Sequence, residues 1–248
     1  MKKCIYILAI STSFIFFSCK KDNTSTTVNY NNGKVKSYTE TMTTPTYSGT
    51  VTCSFTYDAQ NRISTIDWTT TPAQKFVFTY KSNTEIDLDY LSSTFKFHKI
   101  YFLKNSQLDS TFTYSSVRNT TGQKYIYSSS NLLKTFNEYD YSNGNPGLSS
   151  TTNYFYDANG NMIRSESPYN KVETFEYYSD PVMPMPTIFP VLSPVDKSLK
   201  KKYTVMIDNS INDEETYTYT FDDKKRVSTM TTTVALTGTV KTDTFTYY

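Results

Sequence analysis

The sequence predicts an all-β protein. It reads as a long antiparallel meander of consecutive hairpins, about sixteen strands, forming a strongly twisted, curled sheet or half-barrel with little helix outside a signal peptide. Three observations carry this. The 248 residues include 23 Tyr and 16 Phe beside abundant Thr and Ser, while Leu and Ala are scarce; such side chains suit a pleated, half-buried surface. The segment FTYDAQNRISTID (55–67) returns as NYFYDANGNMIRS (153–165) and YTYTFDDKKRVSTM (217–230), with a blurred copy, KYIYSSSNLLKTF, at 124–136. Finally, Tyr57, Tyr80, Leu103 and Tyr127 end strand-like segments at separations of 23, 23 and 24 residues, a period that holds two strands and two turns.

The repeated segment is a turn-forming device. Phe55 and Tyr57 lie two apart and share one strand face. Asp58 follows at the strand end, where its carboxylate can accept a hydrogen bond from the backbone two residues on. Asn61 then takes the left-handed conformation that makes the bulge of a common hairpin loop. In the copies, Asp157 is paired with Gly160 at the left-handed position, and Asp222 with Lys225. Gly enters that region without penalty, whereas Lys should cost about 1 kcal/mol. Tyr30-Asn31-Asn32-Gly33 reads as a further turn, and Ser128 replaces Asp in the degenerate copy. These acids are therefore read as structural turn residues, not catalytic or metal-binding ones.

Strands are expected at 34–44, 47–57, 62–70, 75–81, 94–104, 171–178, 199–208, 214–222, 226–235 and 239–248, among others. The last of them, carrying Phe245 and Tyr247, is expected at a sheet edge, with Lys241 and Asp243 protecting it. Residues 180–196 hold five of the nine prolines. Since proline removes ladder donors, this is a loop insertion. It caps the sheet through its apolar residues, or offers Met183, Ile188 and Phe189 to a partner. Residues 196–202 suggest a short helical turn.

The amino terminus is organised for export. Met1-Lys2-Lys3 is a basic n-region and residues 4–17 an apolar h-region of signal-peptide length, shorter than a membrane-spanning helix. Phe16-Phe17-Ser18-Cys19 resembles a bacterial lipobox, which implies cleavage before Cys19 and acylation of its thiol. Lys20-Lys21-Asp22 resembles a surface-export signal. The division expected is signal peptide 1–18, polar tether 19–29 and a single β domain 30–248. The location is the outer membrane, lipid-anchored on the periplasmic face or the cell surface, with membrane lipid as the partner through acylated Cys19.

Tyr-Asp followed by Gly or Asn and a basic residue, at Phe55–Ile66, Tyr154–Ile163 and Tyr219–Met230, resembles the YD repeats of RHS-type proteins and of YD-bearing surface lipoproteins. The resemblance implies hairpins laid side by side in a long, curling sheet. The shell that large RHS proteins build is not carried over, because this chain has too few units.

Other constellations are weak. Cys53, in an alternating segment, reads as a small buried hydrophobe. The single histidine, His98, has no marked triad partner. DNSINDEE (208–215) lacks the glycine and the terminal Glu of a calcium loop and reads as a hairpin. Asp87 and Asp89 alternate on the solvent side of a strand. No cofactor is implied, and a net charge of +2 with 19% charged residues gives no field for nucleic acid. The function expected is non-enzymatic: a structural, adhesive or partner-binding role, with a glycan or a protein as partner. One alternative is a carbohydrate-binding module, with Trp68 and neighbouring Tyr as a platform. The other, a glycan hydrolase, needs two carboxylates facing across a cleft.

Overall fold

The computed structural model describes residues 34–70, 73–93, 96–115, 120–141, 145–179, 185 and 198–248. Sixteen strands occupy them: β1 (Val35–Thr43), β2 (Ser48–Tyr57), β3 (Ile63–Trp68), β4 (Gln74–Tyr80), β5 (Glu85–Ser92), β6 (Lys96–Lys104), β7 (Gln107–Ser115), β8 (Thr121–Tyr127), β9 (Leu133–Asp140), β10 (Gly147–Tyr156), β11 (Met162–Ser167), β12 (Lys171–Tyr177), β13 (Lys200–Ile207), β14 (Ser210–Phe221), β15 (Val227–Val234) and β16 (Thr239–Tyr247). Each pairs antiparallel with the next in sequence, and no helix occurs among the described residues.

The sheet is not an open curl. β1 pairs with β16 from Val35↔Tyr247 to Thr43↔Val240, which closes the sheet into a barrel. The half-barrel expected from the sequence is corrected to a full one, and the expected edge strand has partners on both sides. Closure satisfies the backbone groups that an edge would leave unpaired. Local signals do not report it, because the seam joins residues as far apart as Ser37 and Thr246, whose hydroxyls lie 2.7 Å apart. Lys241 and Asp243 are not edge guards either: Lys241 reaches Glu40 at 2.8 Å and Asp243 at 3.6 Å. The helical turn expected at 196–202 is replaced where described, since Lys200 already begins β13.

Strand alternation gives the barrel two unlike faces. Tyr38, Cys53, Phe55, Ile66, Phe78, Leu88, Tyr101 and Phe245 share one face and form one buried cluster, with Phe55 only 2% exposed. Among the described residues nothing covers the outside of this single-layer wall, so the buried face is the inward one. The opposite face is rich in hydroxyls. Thr39 meets Thr52, Thr56 meets Thr65, Thr220 meets Thr229 and Thr231 meets Thr242 across neighbouring strands, at 3.2, 2.8, 2.7 and 3.4 Å. Such cross-strand pairs hold register on a wet surface.

Alternate turns lie at the same end of a meander. The turns after Tyr57, Tyr127, Tyr156 and Phe221 therefore share one end, called here the motif end, which also holds Lys34 and Tyr248, joined by a 3.0 Å backbone hydrogen bond. The apolar cluster fills the inside near this end. Met185, in the proline-rich connection between β12 and β13, packs against it. Met183, Ile188 and Phe189 lie outside the described residues, as does everything before Lys34, including Cys19 and the turn at 30–33.

At the closing seam Phe245 packs on Tyr38, with ring centroids 5.9 Å apart, and is 7% exposed. Phe245→Ala should lower stability by about 3–5 kcal/mol, read as a shifted midpoint in guanidinium denaturation. Thr244→Ala, one residue away on the outer face, should shift it by less than about 0.5 kcal/mol.

Candidate functional site

The motif turns share one detailed geometry. Asp58 Oδ1 accepts the backbone N–H groups of Gln60 and Arg62, both at 2.9 Å, and Oδ2 accepts Arg62 Nε–H at 2.7 Å. Asp222 repeats this with Lys224 and Arg226, at 3.0, 2.8 and 2.7 Å. Asp157 does so with Asn159 and Asn161, whose amide replaces the guanidinium at 3.1 Å. Asn61, Gly160 and Lys225 have φ of 64°, 84° and 61°, as does Asn131 with 62° in the degenerate copy. There Ser128 supplies only its hydroxyl, to Leu132 N–H at 3.2 Å.

The arginine after two of these turns has a second task that sequence reasoning missed. The Arg62 guanidinium lies 3.9 Å from the Tyr80 ring centre, and that of Arg226 lies 4.1 Å from the Tyr247 ring centre. The tyrosine hydroxyls donate to the carbonyls just past the turn: Tyr80 to Ile63 at 2.9 Å, Tyr247 to Val227 at 2.7 Å and Tyr177 to Met162 at 2.7 Å. One turn is thus pinned to the strand beyond its own hairpin. The Arg at Asp+4, followed by a strand-ending Tyr one unit later, was the available signal. Burial pushes the Tyr80 and Tyr247 hydroxyls up to about 12, so they remain donors.

Asp58, Asp157 and Asp222 are thereby committed to structure. Burial would raise their pKa values, but the hydrogen bonds from residues 60 and 62 and their counterparts outweigh it and hold the carboxyls below the usual range. A depressed carboxyl adds stability above its unfolded pKa, about 3.9, and loses it as pH falls through the lower folded value.

Farther from the motif end the inward face becomes polar. Glu173 accepts from Ser165 Oγ at 2.6 Å, Tyr203 Oη at 2.8 Å and Lys171 Nζ at 2.8 Å. Burial would raise its pKa, yet these bonds keep it lowered, so it is held ionised. Gln123 Oε1 accepts from Thr111 Oγ1 at 2.8 Å and Lys99 Nζ at 3.0 Å. Tyr217 donates to Glu215. Asp243 is 3% exposed; burial raises its carboxyl to about 6, with Lys241 opposing and Glu40 reinforcing. Its burial leaves it no open face for a substrate, and the hydrolase reading gains nothing from it.

The remaining candidates are placed as follows. Trp68 is half-buried on the inward face, edge-on to Tyr38 with centroids 5.6 Å apart, and its Nε1 is buried with no hydrogen-bond partner among the described residues. It is not part of an exposed platform. Cys53 is fully buried, and burial followed by the Asp67 charge pushes its thiol up to about 12. Asp208 and Asn209 form the turn between β13 and β14, with φ of 51° and 62°. Asp87 and Asp89 flank His98 on the outer face, with Asp89 Oδ1 2.8 Å from His98 Nδ1.

The outer wall has one aromatic side, on β6 to β9. His98, Tyr114, Phe112 and Tyr141 form a row with successive ring centroids 6.2, 4.9 and 4.9 Å apart. Two grooves flank the row. One, of about 450 Å³, is lined by Phe102, Phe112, Gly122, Lys124, Tyr139 and Tyr141 among others; the other, of about 270 Å³, lies near the ends of β5 and β6, where inward-facing Tyr90 and Phe97 meet outward-facing Asp89, His98 and Tyr114. Beside the larger one, Gly122 leaves room for the Tyr141 ring, which an added Cβ would approach to 2.8 Å.

Two solved structures resemble this architecture. A porin-like protein from Bacteroides uniformis ATCC 8492 superposes with a TM-score of 0.64 at 14% identity, covering 86% of this chain and 96% of its own. A porin-like protein from Bacteroides vulgatus ATCC 8482 gives 0.59 at 10% identity, covering 87% and 99%. No protein-family model and no curated protein matches the chain. The likeness is one of fold.

Two tests follow. Asp58→Ala should cost about 1–2 kcal/mol in urea denaturation at pH 7, and the difference from wild type should shrink below about pH 4. Asp243→Asn should do the reverse. A raised folded pKa contributes stability at low pH that is lost as pH rises through about 6, so the variant should be more stable than wild type at pH 7.5 and show no gain at pH 4.

Proposed function

We propose that this protein is a non-enzymatic barrel, anchored at the outer membrane or cell surface by acyl chains on Cys19, whose outer wall serves binding or adhesion. One observation carries the reading: the outward face of β1, β2, β14, β15 and β16 is a field of threonines such as Thr52, Thr218, Thr231 and Thr244, several of them exposed. A barrel that spans a bilayer turns an apolar band about 25 Å tall to the lipid and keeps polar groups inside. On these strands the apolar residues face inward and the hydroxyls outward. Such a wall has no means of holding itself in hydrocarbon, so membrane attachment falls to the lipid. Two or more acyl chains suffice for a stable anchor. The aromatic packing inside the motif end also argues for a closed vessel over a solute channel.

Wild-type protein should incorporate labelled palmitate and fractionate with membranes, whereas Cys19→Ala should be released into the soluble fraction. Neither should conduct ions in a planar bilayer. Retention of Cys19→Ala in carbonate-washed membranes, together with stepwise conductance, would mean that the barrel itself spans the bilayer.

A further inference from the structure

We propose that the ring row on the outer wall, His98, Tyr114, Phe112 and Tyr141, is a binding track for an extended glycan. The inference deepens the binding role proposed above and rests on it, but places the contact at a definite site. A pyranose ring has two apolar C–H faces and a rim of hydroxyls. It therefore calls for aromatic faces with hydrogen-bonding groups set beside them. The row supplies rings tilted 34°, 58° and 68° from one to the next, each offering a face or an edge to a different sugar, with polar groups beside them. Its rings are spaced 4.9–6.2 Å apart. Tyr139 and the exposed Phe102 widen the platform over the larger groove.

Polar groups border each end. At the smaller groove Asp89 holds His98 through Nδ1 at 2.8 Å and keeps its carboxylate 46% exposed. Beside the larger one Lys124 pairs with Asp109 at 2.6 Å, its side chain 44% exposed, and Ser110 donates to the same Asp109 carboxylate at 3.2 Å. Both pairs remain open to a hydroxyl-rich ligand. The larger groove, at about 450 Å³, falls within the range of small-ligand sites.

A flat protein partner fits less well. It would have to cover the Asp89–His98 and Lys124–Asp109 pairs together with the rings, removing water from charges that it could satisfy only with matched groups. A lipid surface meets the same obstacle. A glycan hydrogen-bonds to such pairs without stripping them. Gly122 also fits a built groove: it is buried at the second position of β8, where a glycine in a strand often marks a close approach, and here it lets the Tyr141 ring lie against the backbone.

The test is affinity electrophoresis of the full-length, detergent-solubilised protein through gels containing xylan, mannan, amylopectin, mixed-linkage β-glucan or mucin. At least one polymer should retard wild type. Tyr141→Ala and Gly122→Ala should bind it about tenfold more weakly, the second by displacing the ring from its seat. Thr244→Ala, on the threonine side of the barrel, should bind as wild type does. Melting curves and far-UV circular dichroism check folding, and Tyr114→Ala serves where either groove variant fails to fold. No retardation by any polymer, or equal retardation of wild type and all folded variants, overturns the proposal. Either outcome leaves palmitate labelling and release of Cys19→Ala untouched, so the failure of this site is distinguishable from failure of the anchored-barrel reading.

Discussion

The structure depends on keeping a turn and its neighbouring strand in fixed relation. An aspartate accepts the backbone N–H groups of a tight reversal, an arginine binds that aspartate, and the guanidinium lies on a tyrosine from the following unit. The tyrosine hydroxyl then returns to the carbonyl just beyond the turn. Asp58, Arg62 and Tyr80 show the full set, as do Asp222, Arg226 and Tyr247. A hairpin alone is marginal in water, and this linkage ties such a hairpin to the strand that follows it. Where the guanidinium is missing, as at Asp157, an asparagine amide and a tyrosine hydroxyl maintain the same spacing.

From that frame follows an uneven interior. Side chains two residues behind each turn point inward and meet near the motif end, where Phe55, Ile66, Phe78 and Phe245 exclude water. One or two layers farther in, the same face carries Glu173, Gln123, Lys241 and Asp243, each engaged by neighbours. The threonine-rich exterior follows from the same alternation, because residues between inward aromatics must tolerate water while favouring extended backbone. The aromatic side on β6 to β9 departs from this pattern, and it is there that the proposed glycan track lies.

Much of this was legible in the sequence. Asp58, Asp157 and Asp222, each preceded by an aromatic and followed by Asn, Gly or Lys at the left-handed position, announce their reversals through side-chain chemistry confined to five residues. Alternation in segments such as VTCSFTY separates the faces, and Cys53 sits where that alternation puts it. The site was less legible. Trp68 is the most conspicuous single side chain for a platform, yet alternation places it on the same face as Cys53 and Phe55, hence inside. The rings that do line an outer groove come from strands and a loop separated by as much as 43 residues, from His98 to Tyr141, and no local pattern marks them as neighbours.

The sequence by itself determined the strand content, the turn chemistry and the sidedness of each strand, because these rest on interactions within a few residues. Only the tertiary structure decided that the sheet closes, that Lys241 and Asp243 face inward instead of guarding an edge, and that one side of the wall gathers aromatics. Those outcomes depend on the accumulated twist and stagger of sixteen strands, which bring β1 to β16. Accumulated geometry of this kind is a property of the whole sheet and is encoded in no single segment.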